Sequence, residues 1–265
     1  MTKTQLLDRF SHTGEDRILL ARILDKEEAA RLRGLPAYTG FLSPAEQALC
    51  QDLLKAAGAS FWFTGGYPGA ERRICVFLPD WMEPESFAAE ETCPLCALLA
   101  ETTGGKGLTH RDFLGSLMGL GLTREKLGDI LVEEERRAQV LCLREVLPIL
   151  QAQWDKAGKY PLRLTPLRLE EIRAPQVETR HIRDTVASLR LDAVLASGFS
   201  LSRGKAADWI ASGRVSVNHR PCEKADKLVA EGDALVCRGL GKCVLTQVDG
   251  LSKKGRVMIH LERYG

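Results

Sequence analysis

The sequence predicts an α+β protein in three parts, and three observations carry that expectation. Residues 4–32 and about 43–57 read as helices, followed by a strand pair around a glycine-rich turn. From Pro94 to about Leu169 the elements run β-α-β-β-α-β, the split ferredoxin-like order. After the charged, proline-containing stretch at 170–180, the pattern restarts as two short helices and a set of small strands. The expected domains are a helical and hairpin N-terminal part at 1–82, a ferredoxin-like domain at 92–170 and a small domain at 181–265. A chain of 265 residues accommodates that number.

In the first part, Leu6, Leu7 and Phe10, then Ile18, Leu19, Ile23 and Leu24, recur at helical spacing. Ser43-Pro44-Ala45-Glu46 starts another helix, with Ser as N-cap, Pro in the first turn and Glu closing a capping box. That helix is expected to stop at Gly58. FWFTGG and RRICVFLP read as paired strands across Gly65 to Gly69, and the acidic loop DWMEPESFAAEET marks a domain boundary. In the second part, PLCALLAE is a strand, and HRDFLGSLMGLG a helix presenting Phe113, Leu114, Leu117 and Met118. GDILV and RRAQVLCL are strands joined through Glu133 to Glu135. REVLPILQAQWDKAG is expected to be a helix ending at Gly158, with Pro148 tolerable only in its first turn or at a kink, and YPLRLTPL is the last strand.

Composition excludes several classes. The apolar fraction of 45% and charged fraction of 27% suit a soluble globular chain. No run of about 18 apolar residues is present, and the N-terminus lacks a signal-peptide core, so cytoplasm is the expected compartment and no membrane partner is expected. The eight cysteines are scattered, and only Cys93 and Cys96 have ligand-like spacing. With no second pair and His110 alone, neither zinc nor any other cofactor is expected, and both read as buried strand residues. Net charge is +2, but residues 181–265 hold 14 Lys+Arg against 9 Asp+Glu, whereas residues 1–180 hold 23 against 26. A basic C-terminal part on a mildly acidic body suggests a polyanion partner for the tail.

That tail contains SRGKAADWIASGRVSVN, residues 202–218. Leu191, Val194 and Leu195 form one face of a first helix expected to stop at Gly198. Ser202 caps a second, packed through Ala206, Trp209 and Ile210 and ended by Gly213. Val215 and Val217 then alternate as a strand, Asn218 opens a turn, Ala234 to Cys237 pairs back, and VMIHLERY is a last strand. Packing two helices against a strand brings Arg203 and Lys205 toward Arg190 and Arg214, beside a helix N-terminus that favours phosphate. Lys224 and Lys227 widen the patch. In the middle domain, Arg111, Arg124, Lys126, Arg136 and Arg137 are candidates for backbone contacts only, since GDILV and RRAQVLCL have no aromatic on which a base could stack.

The succession Arg190-Leu191-Asp192, Leu201-Ser202-Arg203, Ala206, Ile210, the corner Gly213 to Asn218 and Glu231-Gly232-Asp233 resembles the RNA-binding domain of small-subunit ribosomal protein four, the S-four domain, over about residues 188–240. The resemblance implies a small domain of αL type, two helices in an L against a small sheet, that reads structured RNA. His219 departs from it, since the family places Gly there. Thr109 to Val132, with the three-part layout, is similar to the YlmH family of bacterial proteins. That similarity implies a cytoplasmic, ribosome-associated protein that binds rRNA or tRNA, with large subunits carrying peptidyl-tRNA on stalled translation as the sharper expectation. The implied RNA-binding residues are Arg190, Ser202, Arg203, Lys205, Arg214, Asn218, Lys224 and Lys227. A monomer with no DNA partner is expected.

S-four domains also occur on RNA-modifying enzymes, the alternative reading. A pseudouridine synthase needs Asp in a Gly-Arg-Leu-Asp setting. Arg190-Leu191-Asp192 belongs to the S-four helix, and Asp129 has no Arg-Leu beside it. A methyltransferase needs a glycine-rich loop in a doubly wound sheet, and Gly104 to Gly107 reads as a plain loop. His110 and Asp112 sit two apart in a helix, on different sides. No catalytic or metal-binding residue is therefore assigned, and a non-catalytic RNA-binding protein is expected.

Overall fold

A computed structural model describes residues 1–89, 93–102, 104, 107–133, 136–174 and 178–264, in two compact units, Met1–Pro175 and Gln176–Gly265. Gly105, Lys106, Glu134, Glu135 and the centre of the 170–180 stretch, all singled out in the sequence, lie outside the described residues.

In the first unit, α1 (Lys3–Phe10), α2 (Gly14–Arg33) and α3 (Pro44–Ala57) each begin with a capping box, at Thr2, Thr13 and Ser43. Each cap hydroxyl accepts from the third helical N–H while that residue's side chain returns the bond, satisfying two otherwise orphan donors. Gly58 ends α3 in the left-handed region, as expected. Leu20, Ile23, Leu53 and Leu54 are sealed between these helices, whereas Ile18 is exposed. β1 (Ala37–Tyr38), β2 (Trp62–Thr64) and β3 (Ile74–Phe77) form a sheet in the order β1-β3-β2. At two residues, β1 is too short to show an alternation. The acidic loop folds into α4 (Pro84–Ala89), with Met82 and Phe87 buried.

Next come β4 (Leu95–Glu101), α5 (His110–Gly119), β5 (Leu127–Glu133), β6 (Arg137–Leu143), α6 (Leu147–Gln153), the short pair β7 (Lys156–Ala157) and β8 (Tyr160–Pro161), and β9 (Arg163–Leu167). The main strands are ordered β5-β6-β4-β9 and all pairs are antiparallel, which is the ferredoxin-like topology. Three details depart from expectation. Met118 is 42% exposed, so α5 packs through Phe113 and Leu117. The helix expected to reach Gly158 ends at Gln153, where Trp154 turns into the core and donates from Nε1 to Ser116 Oγ at 2.8 Å. Gly158 instead supplies a positive φ of 58° at the β7–β8 turn. Pro148 sits in the first turn of α6, where its missing N–H is harmless.

Both faces of this sheet are buried. Leu98, Ala100, Leu127, Ile130, Val140 and Cys142 point toward α5 and α6. Leu95, Ala97, Leu131, Leu141 and Leu143 pack on Phe41, Ile74, Val76, Met82 and Phe87 from the N-terminal part. Gly128 is where the approach is closest: a Cβ there would lie 2.7 Å from the Phe41 ring. Asp129 then ties the glycine-rich loop down, accepting from Tyr67 Oη (2.7 Å) and from the N–H groups of Glu71 (2.8 Å) and Arg72 (3.0 Å). The lack of aromatics in β5 and β6 thus accompanies a face that is interior.

The second unit holds β10 (Thr179–Val186), α7 (Leu191–Phe199), α8 (Arg203–Ala211), β11 (Val215–Val217), β12 (Arg220–Pro221), β13 (Ala234–Cys237), β14 (Gly241–Leu251) and β15 (Val257–Tyr264). Its antiparallel sheet runs β10-β15-β14-β13-β11-β12 over a core of Leu191, Val194, Leu195, Ile210, Leu235, Leu245, Ile259 and Leu261. β10 occupies the end of the stretch expected to be a linker. Gly198 does not stop α7: the helix runs to Phe199 and is capped by Ser200 at φ 54°, ψ 44°. Gly198 is instead a contact position, where a Cβ would come within 2.7 Å of Cys243 Sγ. Asn218 (φ 51°) and His219 (φ 64°) are both left-handed, which identifies a type I′ hairpin in spite of the missing glycine.

All eight cysteines are free thiols; Cys93 is buried but precedes β4, and Cys96, within β4, is only partly buried, against the expectation of two buried strand residues. Cys96 faces Cys142 across β4 and β6 with 3.3 Å between sulfurs. Among the described residues, no group of three or more His, Cys, Asp or Glu could hold a metal ion, and no helix is long and apolar enough to cross a membrane.

Candidate nucleic-acid interface

The expected basic corner forms around a carboxylate. Asp192, in the first turn of α7, is only 5% exposed. Its oxygens accept from Arg190 Nε and Nη2, each at 3.2 Å, and from Arg203 Nε at 3.1 Å and Nη2 at 3.3 Å. Burial alone would push this carboxyl up. The hydrogen bonds and charges of the two guanidiniums outweigh it and hold the group below the usual carboxylate range. The same bonds raise the Arg190 pKa. Asp192 therefore fixes two arginine forks side by side while their outer edges face solvent. The sequence placed Arg190 and Arg203 at the site and counted Asp192 in the S-four pattern, but gave that carboxylate no role there.

The loop at 224–229 is stitched to the start of α7. Leu191 N–H donates to Lys227 O (2.8 Å), Asp192 N–H to Ala225 O (3.0 Å), and Val229 N–H to Leu189 O (2.9 Å). These bonds bring the backbone of the Lys224 and Lys227 loop beside Arg190, and both lysine side chains are exposed.

At α8, Ser202 is the N-cap, its Oγ accepting from Lys205 N–H at 3.2 Å, as expected. Lys205 and Arg214 both lie over the ring of Trp209, with Nζ 5.7 Å and Cζ 5.3 Å from its centroid. Trp209 entered the sequence reading as a packing residue; it is also the platform that gathers the two cations. Asn218 has a different task. Its Nδ2 donates to Asp233 Oδ1 (2.7 Å) and its Oδ1 accepts from Ala234 N–H (2.9 Å), so both ends of the amide hold the corner. Arg190, Arg203, Lys224 and Lys227 thus gather at the head of α7, and Lys205 and Arg214 gather on Trp209.

The middle-domain candidates are arranged differently. Lys126 pairs with Glu145 at 2.5 Å, and Arg137 with Glu101 at 3.0 Å. Arg124 is half-buried and donates to Gly128 O at 3.4 Å; burial lowers its pKa. Arg111 and Arg136 are exposed. Of the acids weighed as catalytic, Asp129 is bound to Tyr67 and the backbone at Glu71 and Arg72, and Asp112 closes the capping box of α5 with Thr109. The Asp112 carboxyl is lowered by bonds from the Thr109 N–H and hydroxyl.

Comparison with known proteins agrees with this anatomy. Residues 105–171 match the family model of the RNA-binding domain in YlmH, and residues 189–235 match the S4 domain, the S-four fold inferred above. The chain is 34% identical over 258 residues to the Ribosome-associated protein quality control protein P2 of Bacillus subtilis (strain 168), covering 97% of this chain and 98% of that one. A solved structure, the cell division protein ylmH from Streptococcus pneumoniae, aligns with a TM-score of 0.50 at 26% identity, over 61% of this chain and 96% of its own. With near-full-length similarity at that identity and both domain matches in the expected order, this chain belongs to the YlmH family.

Proposed function

We propose that this chain is a non-catalytic, cytoplasmic RNA-binding protein of the ribosome. It grips structured rRNA or tRNA through its S-four face as a monomer and acts on large subunits that carry peptidyl-tRNA, in quality control of stalled translation. The observation that carries the reading is the pairing of Arg190 and Arg203 around buried Asp192, next to Lys205 and Arg214 on Trp209. Two guanidiniums locked in position present donors in a geometry suited to phosphate oxygens. Free lysines at 224 and 227 add charge that releases counterions on binding. Ser202 and Asn218 hold the helix start and the hairpin that frame these cations. The ribosomal part is supported by the relative's name, and the non-catalytic part by the structural engagement of Asp112, Asp129 and Asp192. The three-part division into 1–82, 92–170 and 181–265 is retained as part of this reading, with the first two parts sharing one core.

The test is binding to purified rRNA and bulk tRNA across a salt series. Arg203→Ala with Lys205→Ala lowers the salt slope by up to about two units and weakens all RNAs alike. An unchanged slope removes these residues from the interface. Co-sedimentation from gentle lysate should place the protein with large subunits together with tRNA, and a free protein at the top of the gradient would sink the ribosomal assignment.

A further inference from the structure

Beside the S-four core, α7, β10 and the β14–β15 hairpin enclose a groove of about 550 Å³. Arg183, Arg203 and Arg256 line it, against a single acid, Asp184. That carboxylate is engaged, accepting from Ser197 Oγ and from Thr185 N–H, each at 2.7 Å. Arg256 folds back on the edge strand, donating from Nε to Thr185 Oγ1 (3.1 Å) and from Nη2 to Thr185 O (2.5 Å). Ala193 and Ala196 keep the α7 wall low, so the groove stays open. Lys253 and Lys254 are exposed on the hairpin that carries Arg256.

We propose that this groove is a second phosphate track, along which RNA held at the S-four corner continues over β10 and the β14–β15 hairpin. The inference rests on the RNA-binding reading above and extends it to elements outside residues 189–235. Continuity is the main support: Arg203 belongs both to the Asp192 cluster and to the groove wall, so the cationic surface is unbroken. Charge complementarity is the second. Arg203 and Arg256 flank a groove whose one carboxylate, Asp184, is saturated, a setting that suits phosphodiester oxygens. The Arg183 side chain alternates to the other sheet face, beside His260 and Asp249. Charges on an edge strand also discourage strand pairing. That role accounts for Arg183 but not for an arginine tied to Thr185 beside an open groove.

Purified large-subunit rRNA, naked or within intact subunits, is the probe, titrated between about 50 and about 200 mM salt. Two variants are compared with the parent and with Arg203→Ala/Lys205→Ala. Arg183→Gln/Arg256→Gln removes the two arginines of β10 and the β14–β15 hairpin, leaves Arg203, and is checked for folding by thermal melting. Lys253→Gln/Lys254→Gln breaks no side-chain hydrogen bond or ion pair among the described residues. Each is expected to weaken naked rRNA binding about tenfold and to lower the salt slope by about one to two units. If both groove variants keep the parental slope while the Arg203/Lys205 variant loses it, the track is refuted and the S-four interface stands. If the parent itself has no salt-dependent affinity, the functional reading falls first. Loss of binding to intact subunits with naked rRNA binding retained would assign the groove to a protein and overturn the proposal.

Discussion

The two units treat their basic residues in opposite ways. In the first, Lys126 and Arg137 close ion pairs with Glu145 and Glu101, and Arg72 donates to the carbonyls of Phe41, Arg124 and Leu127. Arg72 thereby ties the N-terminal part to the ferredoxin-like domain, while the two ion pairs lie within that domain. In the second, Asp192 aligns two arginines, Trp209 collects two further cations, and Lys224 and Lys227 stand in solvent. The charge tally of the sequence pointed to the second unit, but by a margin of a few residues. Among these residues, availability separates the units more sharply than number.

Four variants, three single and one double, test this contrast, given in descending order of consequence. Leu141→Ala, in the fully buried face between β6 and the N-terminal part, should lower stability by about 2–5 kcal/mol in denaturant titration. RNA affinity of the folded protein should be unchanged, and a parallel loss would mean that the first unit also forms the interface. Asp192→Asn should destabilise by about 1–3 kcal/mol and weaken RNA binding, because the charged bonds that fix both arginines are lost.

Its pH dependence has a defined sign. The folded carboxyl titrates below the unfolded value of about 3.9, so its contribution is complete above that value and vanishes as pH falls through the folded pKa. Stability of the parent and of Asp192→Asn should converge in strong acid. Curves that stay parallel there would exclude the linkage. Trp209→Leu keeps an apolar contact but removes the ring beneath Lys205 and Arg214, and RNA affinity should drop about threefold, the scale of one exposed cation–π contact. Last, Lys126→Ala with Arg137→Ala should shift stability by less than about 1 kcal/mol and leave the RNA salt slope at the parental value. A fall in that slope would return the first unit to the interface.

Much of this was legible before the fold. Capping at Ser43 and Ser202 and the βαββαβ order follow from local signals that packing does not override. What escaped had a physical reason in each case. β10 carries Arg180, His181, Arg183 and Asp184, so only Ile182 and Val186 mark its inner side, and an edge strand needs no more. Gly198 mimics a helix stop, yet its role is set by Cys243, 45 positions away. Asp192 meets Arg203 only once α7 and α8 are packed, so no spacing rule reveals the cluster. The buried second face of the ferredoxin-like sheet was hinted at by LCALLA in β4, apolar on both sides, but that alternation does not say what covers it.

Ser200 carries a further implication. Ser200, Leu201 and Ser202 join α7 to α8, and Ser200, at φ 54° and ψ 44°, makes the left-handed step, so the aim of one helix relative to the other depends in part on that pair of torsions. Glycine would accept that conformation without protest and slacken the joint, whereas valine or isoleucine would resist it. The reach of Arg203 to the Asp192 carboxylate thus also passes through a swivel that touches neither arginine fork.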